Sequence, residues 1–429
     1  MIIQPAKRTE SVKEYFFSIK NREMAKLNRE RAARGEDPII NLGIGSPDGT
    51  PPRAALEVIA KTAVQDGVHG YQSYMGLPEL RQALSDWYAR YYGVTLDPGT
   101  EIQPLTGSKE GILLISLTFL NAGDKVLVPD PGYPTYTSAS RIAEAEVIKY
   151  DLVAEKGWVP DFDALEAMDL TGVKMMWTNY PGMPTGARAT EELYAKIADF
   201  GRRHGILIVN DNPYSFIRNE HPLSLLAVPG AKECCLEMNS LSKAHNMAGW
   251  RIGMVGGEAD YIREILKVKS QMDSGMFKPL QLAAVEALKA GPEWFATLNA
   301  EYLRRAKVAG QIMDALGAEY DPDGAGLFVF GKIPSPAAPV RNDKEGTVRN
   351  DQEGTVRNDR LSAILREAEA SGKTRGEAVS NAILYGAGVF IAPGFIFGHN
   401  GDDYIRISLC APVPRLEKAL EKVKAFLNE

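Results

Sequence analysis

The stretch Ser240-Leu-Ser-Lys243-Ala-His-Asn-Met-Ala-Gly-Trp-Arg251 brings two hydroxyls, an amine and a guanidinium into one short run. A lysine amine in such a setting can condense with a carbonyl group to form a Schiff base. Upstream, Ile206-Leu-Ile-Val-Asn-Asp211-Asn-Pro-Tyr214 ends an apolar run in an acid, with a phenol three residues on. A carboxylate there can keep a ring nitrogen protonated.

These residues need strands and helices to bring them together. From about residue 100 to residue 260, β-rich runs alternate with helical patterns, the arrangement of βα units around a mostly parallel sheet. The strand candidates are Lys125–Pro129, Glu146–Asp151, Val173–Thr178, Ile206–Asn210, Cys234–Asn239 and Ile252–Gly256. Thr190–His204 reads as a helix with Leu193, Ile197 and Phe200 on the face that covers the sheet. Both the lysine and the acid then follow strands whose carboxyl ends share one edge of the sheet, where open α/β sheets bind ligands.

After about residue 290 the pattern changes to long helices, strands at Gly326–Phe330 and Tyr404–Leu409, and a terminal amphipathic helix through Leu416, Leu420, Val423 and Leu427. The expected division is residues 1–45 as an N-terminal arm and part of a small domain, 46–290 as a large domain, and 291–429 as a small C-terminal domain. A polar repeat of period eight, restarting at Val340, Val348 and Val356, marks an insertion at about 339–360 with no assigned chemistry.

A lysine for a Schiff base, an acid for a pyridinium nitrogen, donors for a phosphate and a cation for a carboxylate are what a pyridoxal-phosphate enzyme requires. Over most of its length the chain resembles the fold type I, class I/II aminotransferases, and the spacing from Lys243 to Arg251 matches that family. The resemblance implies an α/β fold: a large domain with a mostly parallel sheet flanked by helices, plus a smaller α/β domain. It implies that Lys243 carries pyridoxal 5'-phosphate as a Schiff base and later removes the substrate's α-proton, that Asp211 pairs with the pyridinium, and that Tyr214 donates to the cofactor's phenolic oxygen. Ser240, Ser242 and Arg251 would hold the phosphate, and the family pattern also places Thr106-Gly107-Ser108-Lys109-Glu-Gly-Ile at a helix start, where free backbone N–H groups and the helix dipole suit that group, with Gly107, Ser108 and Lys109 as the residues there.

Asp130-Pro-Gly-Tyr133-Pro resembles the segment that lays a ring over the cofactor. Tyr71-Gln-Ser-Tyr-Met-Gly-Leu-Pro-Glu-Leu-Arg resembles the segment whose first tyrosine reaches the neighbouring subunit's phosphate, which implies a homodimer. Pro393-Gly-Phe-Ile-Phe-Gly-His-Asn-Gly-Asp-Asp-Tyr-Ile-Arg406 is similar to the segment whose arginine grips the substrate α-carboxylate, and Gly45 would approach the same substrate through its backbone. The implied activity is transfer of an amino group between an L-amino acid and a 2-oxo acid with ping-pong kinetics. Gly107-Ser-Lys-Glu-Gly is similar to diaminopimelate, alanine, aspartate and methionine enzymes alike and selects none of them. His245 takes no role and is expected to be structural or exposed.

One position departs from the family. The related enzymes read Asn-Pro-Thr-Gly where this chain reads Met183-Pro-Thr-Gly186, and a thioether cannot donate a hydrogen bond to the phenolic oxygen. Asn179 is the nearby amide able to compensate. Two other readings stay open from the residues alone. A carbon-sulfur β-lyase would use the same lysine, and a non-catalytic regulator would keep the fold but need a DNA-reading module, of which no helix-turn-helix extension is seen.

The bulk properties agree with a small-molecule enzyme. Hydrophobic residues make up 45% and charged residues 24% of the 429, and the formal charge of −6 is modest with its basic residues dispersed. That balance argues against nucleic acid or an anionic membrane as the main partner. No apolar run reaches a membrane span and the first residues lack a signal peptide's apolar segment, so a cytoplasmic location is expected. Three cysteines and five scattered histidines give no metal-ligand spacing. Cys234 and Cys235, read as neighbours in a strand, should point to opposite faces and form no structural disulfide.

Overall fold

The computed structural model describes residues 2–335 and 359–428, so the octad repeat lies outside the described residues. The β-rich runs after residue 100 form a seven-stranded sheet: β1 (Ile102–Leu105), β2 (Lys125–Asp130), β3 (Glu146–Asp151), β4 (Val173–Thr178), β5 (Leu207–Asp211), β6 (Cys235–Ser240) and β7 (Gly253–Gly256). Their order is β1-β7-β6-β5-β4-β2-β3. Strands β2 to β6 pair in parallel, and β7 runs antiparallel to both β6 and β1. Every residue of β5 and β6 is buried, as expected of strands covered on both faces.

Two helices show how the sequence fixes the site's frame. Helix α1 (Ser108–Phe119) lies so close to the sheet that a Cβ on Gly111 would fall 2.6 Å from Leu105 and 2.8 Å from the Met238 sulfur. A larger residue would push α1, and the turn that begins it, away from β6. Helix α2 (Glu191–His204) starts where the Thr190 hydroxyl accepts the Leu193 N–H at 3.1 Å, and stops at Gly205, whose φ of +63° is left-handed. Leu193, Ile197 and Phe200 are its buried face.

The strand that carries the acid extends one residue beyond its expected end, so Asp211 is its last ladder position, opposite Met238. The cysteine pair is a correction. Strand β6 starts at Cys235, and Cys234 has φ −141° and ψ 9°, which is not extended backbone. The two side chains therefore do not alternate, and their sulfurs lie 3.8 Å apart as free thiols.

The chain divides into two units, one made of residues 1–13, 46–183 and 187–300, the other of 14–45, 184–186 and 301–429. The second unit holds an antiparallel sheet ordered Ala392–Pro393, Tyr404–Ser408, Phe328–Lys332, Glu319–Tyr320, together with a short parallel pair, Ile40–Asn41 beside Val389–Phe390. The strand expected from Gly326 begins two residues later because Gly326 has φ +81°, outside the extended region. The terminal helix, α3 (Val413–Asn428), buries Leu416, Val423 and Leu427 as read, with Ala419 and Phe426 in addition, while Leu420 is half-buried.

Candidate active site

The carboxyl ends of β5 and β6 bring the acid and the lysine into one region of the first unit. Asp211 is buried, and its two carboxylate oxygens differ. Oδ2 accepts the Tyr136 hydroxyl at 2.8 Å, whereas Oδ1 has no hydrogen-bond partner among the described residues. Burial pushes the Asp211 carboxyl up to about 6, against the Tyr136 hydrogen bond and the positive charge of Lys243, both of which pull it down. The Asn179 amide donates to the Asp211 carbonyl at 2.6 Å, which fixes the backbone there.

Tyr136 was not singled out from the sequence. It stacks on Trp177 with ring centres 5.0 Å apart and planes within 8°, and Tyr133 meets it edge-on at 5.6 Å. The available signal was its place three residues after Tyr133, the residue that precedes the helix Pro134–Ile142.

Beyond β6, Ser240 caps the single-turn helix Leu241–Ala244. Its hydroxyl accepts the Ser242 N–H at 3.1 Å and donates to the Ser242 hydroxyl at 2.8 Å. Lys243 lies half-buried on that turn. Arg251 has the left-handed φ of +59°, unusual for a residue with a side chain. Its guanidinium donates to Ala248 O at 2.9 Å and reaches Thr106 O at 3.4 Å and the Ser242 hydroxyl at 3.5 Å.

Gly107, at φ +81°, lies directly under this guanidinium: a Cβ there would be 2.1 Å from Arg251 Nη2. Ser240, Ser242 and Arg251 thus gather beside the first turn of α1, where Ser108 is half-buried and Lys109 exposed. Backbone N–H groups, two hydroxyls and a guanidinium make a cup suited to a phosphate dianion. A buried carboxylate oxygen with no hydrogen-bond partner among the described residues, a lysine close enough to act on that carboxyl and this cup fit pyridoxal phosphate.

The other expected positions fall as follows. Tyr214 is buried and Tyr133 half-buried, while Tyr71 is 92% exposed. Met183 is buried, and its N–H is held by Asn179 Oδ1 at 2.8 Å, so both ends of the Asn179 amide are engaged by backbone. His245 is fully buried, not exposed. It lies between Trp87 and Phe295 at 5.9 and 5.7 Å, with no hydrogen-bond partner for either ring nitrogen among the described residues. Burial alone pushes its pKa down to about 3.

In the second unit, Arg406 is buried on the strand Tyr404–Ser408 and donates to Gly43 O at 2.8 Å. Its guanidinium lies 3.9 Å from the ring centre of Phe328 and 4.6 Å from that of Phe397, an aromatic box that holds the cation in place. A Cβ on Gly45 would come 2.7 Å from Phe328, so bulk there would press first on the ring that supports Arg406.

Residues 37–423 match the family described as aminotransferase class I and II. The chain is 35% identical over 426 residues to the LL-diaminopimelate aminotransferase of Dehalococcoides mccartyi, covering 99% of each. It is 36% identical over 401 residues to the enzyme of the same name from Nitratidesulfovibrio vulgaris, covering 93% of this chain and 94% of that one. Among solved structures, substrate-bound BacF from Bacillus subtilis superposes with a TM-score of 0.83 at 30% identity, over 99% of this chain and 98% of the other.

Proposed function

This chain belongs to the class I and II aminotransferases and is a pyridoxal-phosphate-dependent transaminase, and from that premise we propose how its own residues divide the work and which substrates it takes. The observation that carries the assignment is Asp211, whose buried Oδ1 is open to a donor while Oδ2 is held by Tyr136. Bound pyridoxal phosphate supplies an electron-withdrawing ring that makes the α-proton of an attached amino acid acidic.

Asp211 keeps the ring nitrogen protonated, and Tyr136 orients Asp211. Gly107, Ser108, Lys109, Ser240, Ser242 and Arg251 hold the phosphate. Tyr133 packs on the ring, and Tyr214 donates to the phenolic oxygen. Lys243 anchors the cofactor and, once its amine is free, carries the α-proton on its Nζ. Arg406 grips the substrate carboxylate through two parallel N–H groups, and Gly45 leaves room beside it.

The chain acts as a cytoplasmic homodimer. The exposure of Tyr71 supports this reading, because a ring 92% open to solvent in one subunit is free to reach a second subunit's cofactor. Relatives named LL-diaminopimelate aminotransferase at 34 to 36% identity support LL-diaminopimelate as the amino donor. Two measurements test these assignments. Borohydride reduction followed by peptide mapping should find the cofactor on Lys243, and attachment elsewhere would overturn that role. A panel of amino donors with 2-oxoglutarate and pyruvate should show parallel-line ping-pong kinetics and favour LL-diaminopimelate. Faster turnover of alanine, aspartate or methionine would overturn the substrate and leave the class intact.

A further inference from the structure

One buried cation has no part in the roles above. Lys269, the last residue of the helix Ala259–Lys269, is 1% exposed and bridges two acids. Its ammonium lies 3.2 Å from Glu110 Oε1 and pairs with Asp273 one turn further along the chain. Glu110 belongs to the first turn of α1, and its other oxygen accepts the backbone N–H of Thr106, the residue before Gly107. Glu110 therefore folds the start of α1 back onto the strand-to-helix turn that Arg251 covers.

The other arm leads elsewhere. Asp273 Oδ1 accepts the Gly275 N–H at 3.0 Å, and Gly275, at φ +83°, is packed so tightly that a Cβ would lie 2.5 Å from the Gln72 carbonyl oxygen. Lys269 thus joins the phosphate-facing turn to the segment that follows Tyr71.

We propose that Lys269 is a positioning residue for the cofactor phosphate, holding the Thr106–Lys109 turn through Glu110 and offsetting two carboxylates that would otherwise repel a bound anion. The proposal rests on the reading of that turn as the phosphate cup. The electrostatic argument is direct. Glu110 and Asp273 meet at one buried ammonium, and removing it leaves like charges facing each other beside a site meant for a dianion. Glu110 would then relax away from Lys269's position, and the Thr106 N–H would lose its fixed acceptor. The cup would widen.

A role in general stability would weaken every ligand alike, whereas this role is specific to phosphate. The test compares pyridoxal phosphate with phosphate-free pyridoxal, each titrated into the full-length chain after resolution of its cofactor and followed by visible absorbance. The unaltered chain should bind pyridoxal phosphate far more tightly; equal binding of the two would overturn the phosphate cup itself. Lys269→Met should weaken pyridoxal phosphate by about tenfold, a loss of one charge-assisted bond, and leave pyridoxal within about twofold. At saturating pyridoxal phosphate its kcat should recover. An equal loss for both ligands, or none, would overturn the role of Lys269 and leave the cup standing. Should circular dichroism show that Lys269→Met does not fold, Lys269→Gln, which also removes the charge but keeps a polar side chain between Glu110 and Asp273, carries the same comparison, with a phosphate-selective loss supporting the proposal and an equal or absent loss overturning it.

Discussion

The Tyr136 hydroxyl donates to Asp211 Oδ2 at 2.8 Å, so one oxygen of this buried carboxylate is fixed by the protein, while the other has no hydrogen-bond partner among the described residues. That bond pulls the Asp211 pKa down while burial pushes it up to about 6. Tyr136→Phe removes the donor and keeps the ring on Trp177, so the pKa should rise further. Only the ionised carboxylate pairs with a protonated ring nitrogen, so cofactor binding weakens as pH falls through that pKa. Titrations of pyridoxal phosphate at stepped pH should place this acid limb about one pH unit higher in the variant. An unmoved limb would show that another group governs it.

Gly107→Ala tests the cup from its floor. The new Cβ would meet Arg251 Nη2 at 2.1 Å, and the backbone would keep a left-handed φ of +81° that alanine adopts at a cost of about 1 to 2 kcal/mol. The guanidinium must move. Pyridoxal phosphate affinity should fall by at least about tenfold with the fold retained, measured by absorbance titration beside circular dichroism. Unchanged affinity would mean that Arg251 does not serve the phosphate from this position.

Much of this arrangement was legible in the sequence because it follows from local chemistry. Strand β4, buried along nearly all its length, reads as a near-continuous apolar run, and both it and the more exposed edge strand β3 were found at their observed limits. Thr190 and Gly205 bracket α2 by capping rules that act within a few residues. What was missed depends on distant partners. Strand β1 is short and contains Pro104, which an edge strand tolerates and a sequence pattern reads as a break. Tyr136 and Lys269 look like an ordinary helical tyrosine and lysine until the fold sets them against Asp211 and Glu110, 75 and 159 residues away. His245 gave no sign of burial, because Trp87 and Phe295 reach it from far along the chain.

That histidine predicts an acid sensitivity. Burial holds its pKa near 3 in the folded chain, whereas an unfolded histidine titrates at about 6.5. Between those values the unfolded chain binds a proton that the folded chain does not, so stability is complete above about pH 6.5 and is lost as pH falls, by at most about 1.4 kcal/mol per unit. Asp211 acts the other way below about 6, since its raised pKa favours the folded state as it gains its proton. A comparison with His245→Phe isolates the histidine. The phenyl ring fits between Trp87 and Phe295, and the decline in thermal midpoint from about pH 7 to pH 5 should be shallower in the variant. Parallel declines would show that a different group takes up the proton.

Met183 stands where the related enzymes carry a donor to the cofactor's phenolic oxygen, and its thioether can accept but not donate. Asn179, the amide able to replace that donor, binds the Asp211 carbonyl at 2.6 Å and the Met183 N–H at 2.8 Å, so its groups already serve the backbone. On the role proposed for it, Tyr214 would then be the main donor to that oxygen. Each donor stabilises the oxygen's negative charge and loosens its hold on the neighbouring nitrogen's proton, which lowers the pH at which the bound cofactor's visible absorption changes. Met183→Asn should therefore move that midpoint down in a spectrophotometric titration of the holoenzyme, and Tyr214→Phe should move it up. The two shifts should be opposite in sign and larger for Tyr214. A midpoint that stays still or rises in Met183→Asn would mean that a further group already donates to the oxygen and that the methionine costs the site no hydrogen bond.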